Sequence, residues 1–142
     1  MRRRFLAALV LTGTAGVAAC GGSEPRKNVN RPPTPVTLTG AVHARRVQIS
    51  PAHVGAGPVT LVISNQTRRI QTVTMETSNP AGSNTIGHTA STAPIRPQAT
   101  GRLTINARRG DYMVHASDRT IAVAHVTVGK RRESSQNELL LP

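Results

Sequence analysis

Short runs of alternating apolar and polar residues follow one another between positions 36 and 128. Such alternation places every second side chain on one face of a strand, and no run has the period of an amphipathic helix. About seven strands at short spacing predict an all-β domain, an antiparallel Greek-key sandwich rather than alternating helices and strands. The positions predicted to face inward are Val36, Leu38, Val42, Val47, Ile49, Val59, Leu61, Ile63, Leu103, Ile105, Tyr112, Val114, Ala116, Ala124, Val126 and Val128.

Two stretches interrupt the alternation. Residues 52–58, Ala-His-Val-Gly-Ala-Gly-Pro, predict a turn between two strands because glycine and proline are strong turn residues. Residues 78–101 are rich in serine, threonine, asparagine and proline and predict a long connection. A loop of that length in a compact domain is functional or mobile, so we expect it to be one candidate surface for a partner.

The first twenty residues have the organisation of an export signal. Arginines at positions 2–4 precede an apolar stretch at 5–19, which is shorter than the roughly 20 residues that cross a bilayer. We therefore expect residues 1–19 to be a signal peptide that is removed. The start Arg-Arg-Arg-Phe-Leu resembles a twin-arginine signal, and a plain basic leader fits equally well, so both export routes stay open.

The single cysteine of the chain, Cys20, ends this segment in the sequence Val-Ala-Ala-Cys. The stretch resembles the lipobox of bacterial lipoproteins, in which the cysteine thiol is alkylated with diacylglycerol and becomes the first mature residue. One cysteine cannot form an internal disulfide. The resemblance implies an acylated Cys20, a lipid anchor in the cell membrane and a domain on the extracytoplasmic side.

Composition divides the mature chain into three parts. Residues 20–35 hold the lipidated cysteine and a proline-rich segment without apolar pattern, which predicts a flexible tether. Residues 36–128 are the predicted sandwich. Residues 129–142 mix basic and polar side chains, and we expect this tail to be disordered.

The chain is strongly basic, with 18 Lys and Arg against 6 Asp and Glu and a net formal charge of +12. Such a charge favours anionic partners, such as acidic lipids or an anionic envelope polymer. The basic residues are scattered along the sequence in pairs, at 45–46, 68–69 and 108–109, followed by a run at 130–132. Past the signal segment the only aromatic residue is Tyr112, so base stacking has no platform and we expect no nucleic-acid partner.

Two longer stretches carry a family resemblance. Residues 47–67 suggest a strand, a proline, a glycine-rich turn and a strand ending at asparagine, and residues 95–116 suggest a proline-containing turn, a strand and a Gly-x-Tyr opening. Together they resemble the cupredoxin-like family, over residues 36–128. The resemblance implies that Gly110 occupies a turn and that Tyr112 forms a tyrosine corner, with its ring inside and its hydroxyl bonded to nearby backbone.

The resemblance also implies where metal ligands would lie. A type 1 copper site needs two imidazoles, a thiolate and usually an axial methionine. The first imidazole would stand at Gln71 and the thiolate at Ala116, while the remaining ligands would precede the last strand, where residues 117–120 contain neither His nor Met. Because every ligand position is substituted, we predict no resident cofactor and no type 1 copper.

The five histidines are dispersed, without the His-x-His or His-x₃-His spacing of a metal site. The strand period puts His115 and His125 on the outer face of the sheet. If neighbouring strands bring them together, a weak copper or zinc site is the alternative, using His115, His125 and His88 with Met75 or Met113. Isolated exposed histidines are the simpler interpretation.

Motifs of catalysis are missing from the sequence, including Gly-x-Ser-x-Gly, a phosphate-binding glycine loop and His-Glu-x-x-His. We therefore expect a lipoprotein that is not an enzyme and works as a binding or structural module, meeting another envelope protein or an anionic envelope polymer. Two alternatives stay open. One is copper handling or electron-transfer assistance through the surface histidines, and the other is adhesion to anionic surfaces through charge alone, which salt would weaken.

Overall fold

The structure is a computed structural model that describes residues 32–78 and 87–134. Residues 1–31, with the predicted signal peptide and Cys20, lie outside this part, as do residues 79–86 and 135–142. The described residues form eight strands: β1 Val36–Val42, β2 Val47–Ser50, β3 His53–Asn65, β4 Val73–Thr77, β5 Thr89–Ser91, β6 Thr100–Ala107, β7 Gly110–Ala116 and β8 Ala124–Arg131. The predicted all-β class is confirmed. None of these residues belongs to a helix long and apolar enough to cross a membrane.

Strand β3 joins the two layers of the sandwich. Its later part, from Gly57 onward, pairs with β1 and β6, and β2 extends this layer beyond β1. Its first part, from His53 to Ala56, pairs with β8, and β7, β4 and β5 follow in that order. The β1–β3 and β3–β8 pairs are parallel and the other pairs among the described strands are antiparallel, so the sheet is mixed.

The turn predicted at residues 52–58 is wrong, because β3 continues through it. Between Gly55 and Ala56 the register with β8 shifts by one residue, with Lys130 as the extra residue on β8, and Gly57 has a φ of 135° where β3 passes from one layer into the other. Pro58 lies opposite Asn106 on β6 but belongs to neither parallel pairing, because β8 pairs as far as Ala56 and β1 begins to pair at Val59. The same glycines and proline that suggest a turn therefore serve to transfer a continuous strand between layers.

The alternation located the core correctly. The predicted inward positions that are buried are Leu38, Val42, Val47, Val59, Leu61, Ile63, Leu103, Ile105, Tyr112, Val114, Ala116, Val126 and Val128. Val36, Ile49 and Ala124 are partly buried and pack against this cluster. Each fully buried aliphatic side chain contributes about 1.5–3 kcal/mol of transfer free energy, so this core dominates the stability of the sandwich.

The long connection predicted at 78–101 contains regular structure. Strand β5 pairs with β4, and Gln71 and Ile95 form an isolated β-bridge. Ile95 is buried, and its side chain packs against Gly101, where an added Cβ would collide with Ile95 Cδ1. The strand could not be recognised from the sequence for two reasons. The segment is rich in serine, threonine and proline, and β5 is only three residues long.

The sandwich has two ends, which we call the tether end, after the tether predicted at 20–35, and the far end. The tether end holds the start of β1, the β6–β7 turn and the end of β8, which extends to Arg131 and so into the segment 129–142. The far end holds the connections 43–46, 66–72 and 117–123. Because β1 and β3 run parallel over residues 36–42 and 59–65, every strand end can be assigned to one of these two ends.

Candidate functional site

Gln71 lies at the far end, where the resemblance would place the first metal-binding imidazole. Its backbone exchanges two hydrogen bonds with Ile95, of 3.0 and 2.8 Å, which fixes the chain just before β4. Its side chain is 2% exposed, and Oε1 accepts hydrogen bonds from the Ser117 hydroxyl at 2.9 Å and from the Asp118 backbone N–H at 3.1 Å. The amide therefore ties the chain before β4 to the chain after β7.

The residues at this place do not fit type 1 copper. Ala116, at the position of the thiolate, is buried and offers only a methyl group. The amide oxygen of Gln71 is a hard donor that already accepts two hydrogen bonds, whereas type 1 copper is bound by imidazole nitrogen and thiolate sulfur. The site is a hydrogen-bonded junction between two loops.

The connection after β7 is ordered by its own side chains. The Asp118 carboxylate accepts hydrogen bonds from Thr120, from Oγ1 at 2.7 Å and from the backbone N–H at 3.0 Å. The hydrogen bond from the Thr120 hydroxyl is the largest cause that lowers the pKa of Asp118, and Arg69 adds a smaller attraction. The turn thus keeps a negative charge next to the basic connection 66–72.

Tyr112 is fully buried, and its hydroxyl oxygen accepts a hydrogen bond of 2.9 Å from the backbone N–H of Arg108. Gly110 has a φ of 146°, a conformation that side chains resist, and an added Cβ would meet no atom within 4 Å. The requirement for glycine at this position is therefore conformational. Together the two residues hold the tight turn between β6 and β7.

Three of the candidate metal residues share the outer face of the β4–β7–β8 sheet. His115 is opposite Thr74 on β4, and His125 is opposite Met113 on β7. The two imidazoles are therefore diagonal neighbours, a relation that separates α-carbons by about 7–8 Å. His115 Nε2 lies 3.3 Å from the Glu76 carboxylate oxygen Oε1, which the sequence did not suggest.

The other two candidates lie elsewhere. Met75 is fully buried and faces the core, since it pairs with Val114 on the inner side of β7. His88 precedes β5. Its carbonyl accepts a hydrogen bond of 3.0 Å from the Thr77 backbone N–H, and its own N–H donates one of 3.2 Å to the Thr77 hydroxyl. Because Thr77 is one strand position beyond Glu76, His88 belongs to the opposite face from His115. In residues 32–78 and 87–134, no three side chains among His, Cys, Asp and Glu lie close enough together to hold a metal ion.

A depression that we call the outer-face cleft begins at the paired residues Glu76 and Met113 and runs past His115 toward the far end. Its volume is about 290 Å³, and its lining combines Glu76, Met113 and His115 with Arg119, Ile121 and Val123. Val123 is 40% exposed, so its side chain is accessible from solvent. Charged and apolar groups therefore lie side by side on an open face of the sheet.

A second depression, which we call the basic cleft, was missed by the sequence. It lies at the tether end, has a volume of about 560 Å³ and is lined by Arg108, Arg109, Lys130 and Arg131 around the backbone of residues 56–58. The pair and the run are about twenty positions apart, and only the antiparallel β7–β8 pairing brings them together. The cluster of basic residues could have been predicted from the sequence only if the pairing of β7 with β8 had been known.

Comparisons with known proteins give one structural similarity to report. No family model matches the chain, and no curated protein matches it. Among solved structures, the chain is similar to auracyanin A, a "blue" copper protein from the green thermophilic photosynthetic bacterium Chloroflexus aurantiacus. The two are 17% identical, the match covers 68% of this chain and 100% of that chain, and the TM-score is 0.49.

Proposed function

We propose that this protein is a lipid-anchored, extracytoplasmic lipoprotein whose cupredoxin-like β-sandwich is a binding module without enzymatic activity. Cys20, in the sequence Val-Ala-Ala-Cys, supplies the anchor. The partner is another protein of the cell envelope or an anionic envelope polymer. The single observation that carries the binding role is the outer-face cleft, which leaves apolar side chains accessible beside charged ones.

The composition of the outer-face cleft supports a macromolecular partner. Binding surfaces combine an apolar centre with a polar rim and are enriched in arginine and methionine. Here Val123 and Met113 supply apolar surface, and Arg119, Glu76 and His115 supply charge around it. The far end also exposes Ile70, at 59%, so large apolar side chains reach solvent at two places in this half of the domain.

The anchor is tested by replacing its attachment point. We expect Cys20→Ser to abolish labelling by radioactive palmitate and to move the protein out of the membrane fraction, because two acyl chains are needed for stable anchoring. Ser23→Cys in the same background restores a thiol outside the lipobox-like sequence and serves as control. Labelling that persists in Cys20→Ser would rule out the anchor.

The binding role is tested by position-specific crosslinking in intact cells. A photo-reactive amino acid in place of Val123 is expected to give a discrete adduct, and the same substitution at Thr104, exposed on β6 in the other layer, is the matched control. Arg119→Glu should weaken the adduct formed from position 123. Identical adducts from both positions, or none from position 123, would contradict a partner on this face.

Metal handling is the second candidate function, and one contact favours it. Glu76 and His115 approach within 3.3 Å on the outer face, next to Met113, which gives a cleft with carboxylate, imidazole and thioether donors. Calorimetric titration of the full chain carrying Cys20→Ser with copper(I), copper(II) and zinc decides the matter. Affinity tighter than about micromolar that His115→Gln removes and His53→Gln leaves intact would support it; any weaker binding would end it.

A further inference from the structure

The basic cleft collects four cationic side chains from two distant segments. Arg108 and Arg109 occupy the turn between β6 and β7, and Lys130 and Arg131 end β8. Because Gly110 lies opposite Val128 in the β7–β8 pairing, the two segments are neighbours at the tether end. All four residues are exposed, so their charged groups are accessible to solvent and to any large ligand that approaches the cleft.

The charge of the cleft is not neutralised by the described chain. Among the residues that the structure describes, no Asp or Glu contributes to its lining. Within residues 32–78 and 87–134, the ion pair that forms is the one between His115 and Glu76, and none of the four cations is within 4.0 Å of a carboxylate. Several unpaired cations around one concavity create a positive potential that concentrates anions.

The first described residues form one wall of the basic cleft. Pro32 and Pro33 line it, and Pro33 is buried against Gly57, where an added Cβ would lie 2.7 Å from Pro33 Cγ. Arg132 holds the next residue, because its Nη1 donates a hydrogen bond of 2.7 Å to the carbonyl of Thr34. The chain that leads back to Cys20 therefore leaves the sandwich at the edge of the cleft.

The distance from this edge to the anchor is short. Cys20 and Pro32 are twelve positions apart in the sequence. Even a fully extended chain of that length spans only about 40 Å, and a flexible one has an average span of about 19 Å. An acylated Cys20 would thus keep the basic cleft within reach of lipid headgroups, whereas the far end would point away from the membrane.

We propose that the basic cleft binds the phosphate groups of anionic phospholipids in the membrane that holds Cys20, which orients the sandwich with its tether end on the bilayer. The inference rests on the anchor of the proposed function. Arginine and lysine side chains donate charge-assisted hydrogen bonds to phosphate oxygens, arginine in a two-pronged geometry. Each basic residue near an anionic surface contributes about a fivefold gain in membrane partitioning.

Vesicle flotation of the full chain carrying Cys20→Ser tests the site without the anchor. Vesicles of phosphatidylcholine with about a third phosphatidylglycerol carry negative phosphate groups, and vesicles of phosphatidylcholine alone measure what the apolar leader contributes. We expect Arg108→Glu/Arg109→Glu, and separately Lys130→Glu/Arg131→Glu, to lower the charge-dependent binding at least about 25-fold. The neutral pair Arg108→Gln/Arg109→Gln should give an intermediate loss, and circular dichroism verifies that each variant is folded.

The matched control makes the same charge change at the other end of the molecule. Arg45→Glu/Arg46→Glu alters the exposed connection between β1 and β2 and should lower binding only a few-fold. An equal loss in this control would mean that net charge and not the cleft binds the vesicle, and unchanged binding in the cleft variants would also overturn the proposal. Displacement by millimolar inorganic phosphate would reassign the cleft to a soluble anion.

The failure of the cleft and the failure of the anchor are separate results. The vesicle assay uses a chain without an acylated cysteine, so its outcome does not depend on the anchor. Palmitate labelling and membrane fractionation report on Cys20 alone. If palmitate labels the protein but the cleft substitutions leave vesicle binding unchanged, the anchor is supported and the proposed orientation is ruled out.

Discussion

Asn65 is a buried amide that uses all of its hydrogen-bonding groups. Its Nδ2 donates to the carbonyls of Arg69, at 2.7 Å, and Ile95, at 2.9 Å. Its Oδ1 accepts hydrogen bonds from the backbone N–H of Thr67, at 2.9 Å, and from the Thr67 hydroxyl, at 2.7 Å. One side chain thus closes the turn after β3 and joins it to a bridge thirty positions away.

We predict that Asn65→Ala lowers the free energy of unfolding by about 2–4 kcal/mol, because buried carbonyls and an N–H lose their partners. Urea denaturation followed by circular dichroism measures this change. Asn106→Ala, at an exposed position on β6, is the control and should shift the free energy by no more than about 0.5 kcal/mol. Equal effects of the two substitutions would contradict the role given to Asn65.

Side chains that follow a regular period could be placed from the sequence, whereas side chains with distant partners could not. Tyr112 was expected inside with its hydroxyl on nearby backbone, and its acceptor role toward Arg108 is local, four positions away. Gln71 was recognised only as a substituted ligand position. Its actual partners, Ser117 and Asp118, are more than forty positions away, a relation that no local pattern encodes.

Strand β3 is the element on which the arrangement of layers depends. It supplies one edge to β8 over four residues and both edges to β1 and β6 over the rest. Where it changes layer, the Arg132 guanidinium donates hydrogen bonds to the carbonyls of Gly55, at 3.0 Å, and Pro58, at 2.6 Å. The segment after β8 therefore supplies donors to backbone acceptors that strand pairing leaves free at the bulge.

We predict that Arg132→Ala destabilises the sandwich by about 1.5–3 kcal/mol, since it removes charge-assisted hydrogen bonds to three backbone carbonyls. Hydrogen exchange should accelerate in residues 53–58 more than in β7. The neighbouring substitution Arg131→Ala is the control, because the Arg131 side chain is exposed and makes no such contact among the described residues. Unchanged exchange in 53–58 would show that the bulge is stable without this side chain.

The elements themselves were predictable where the alternation is long. Strands β1, β6, β7 and β8 follow from it, and so does the core. The direction of pairing does not, because a period of two is the same for parallel and antiparallel neighbours. The turn expected at 52–58 failed for a related reason: glycine and proline signal a departure from regular pairing, and a bulge is one form of departure.

The distribution of charge over the folded molecule is not evident from the order of the charged residues along the chain. Eighteen basic residues against six acidic ones leave an excess that the fold gathers partly into the basic cleft and partly into the far-end connections. Scattered pairs were expected to give a diffuse basic surface. Strand pairing brings the segments 108–109 and 130–131 together, and tertiary structure alone determines that meeting.

We predict that the midpoint of thermal unfolding rises by about 2–5 °C when sodium chloride is raised from 0.01 to 0.15 M. The Debye length falls from about 30 to about 8 Å over this range, which screens repulsion between cations in the compact state. Differential scanning calorimetry gives the midpoint. Neutralising 45–46 and 68–69 with glutamine should flatten the dependence, and a midpoint that falls with salt would contradict the repulsion.

The parallel course of β1 and β3 also has a mechanical consequence. The chain enters β1 from the tether end, and seven consecutive positions, from Val36↔Val59 to Val42↔Asn65, join the two strands. If the proposed lipid anchor and a partner at the far end pull in opposite directions, the load acts along these strands. The hydrogen bonds between β1 and β3 then bear the load in shear, so we expect them to break together rather than one by one from the N-terminal end of β1.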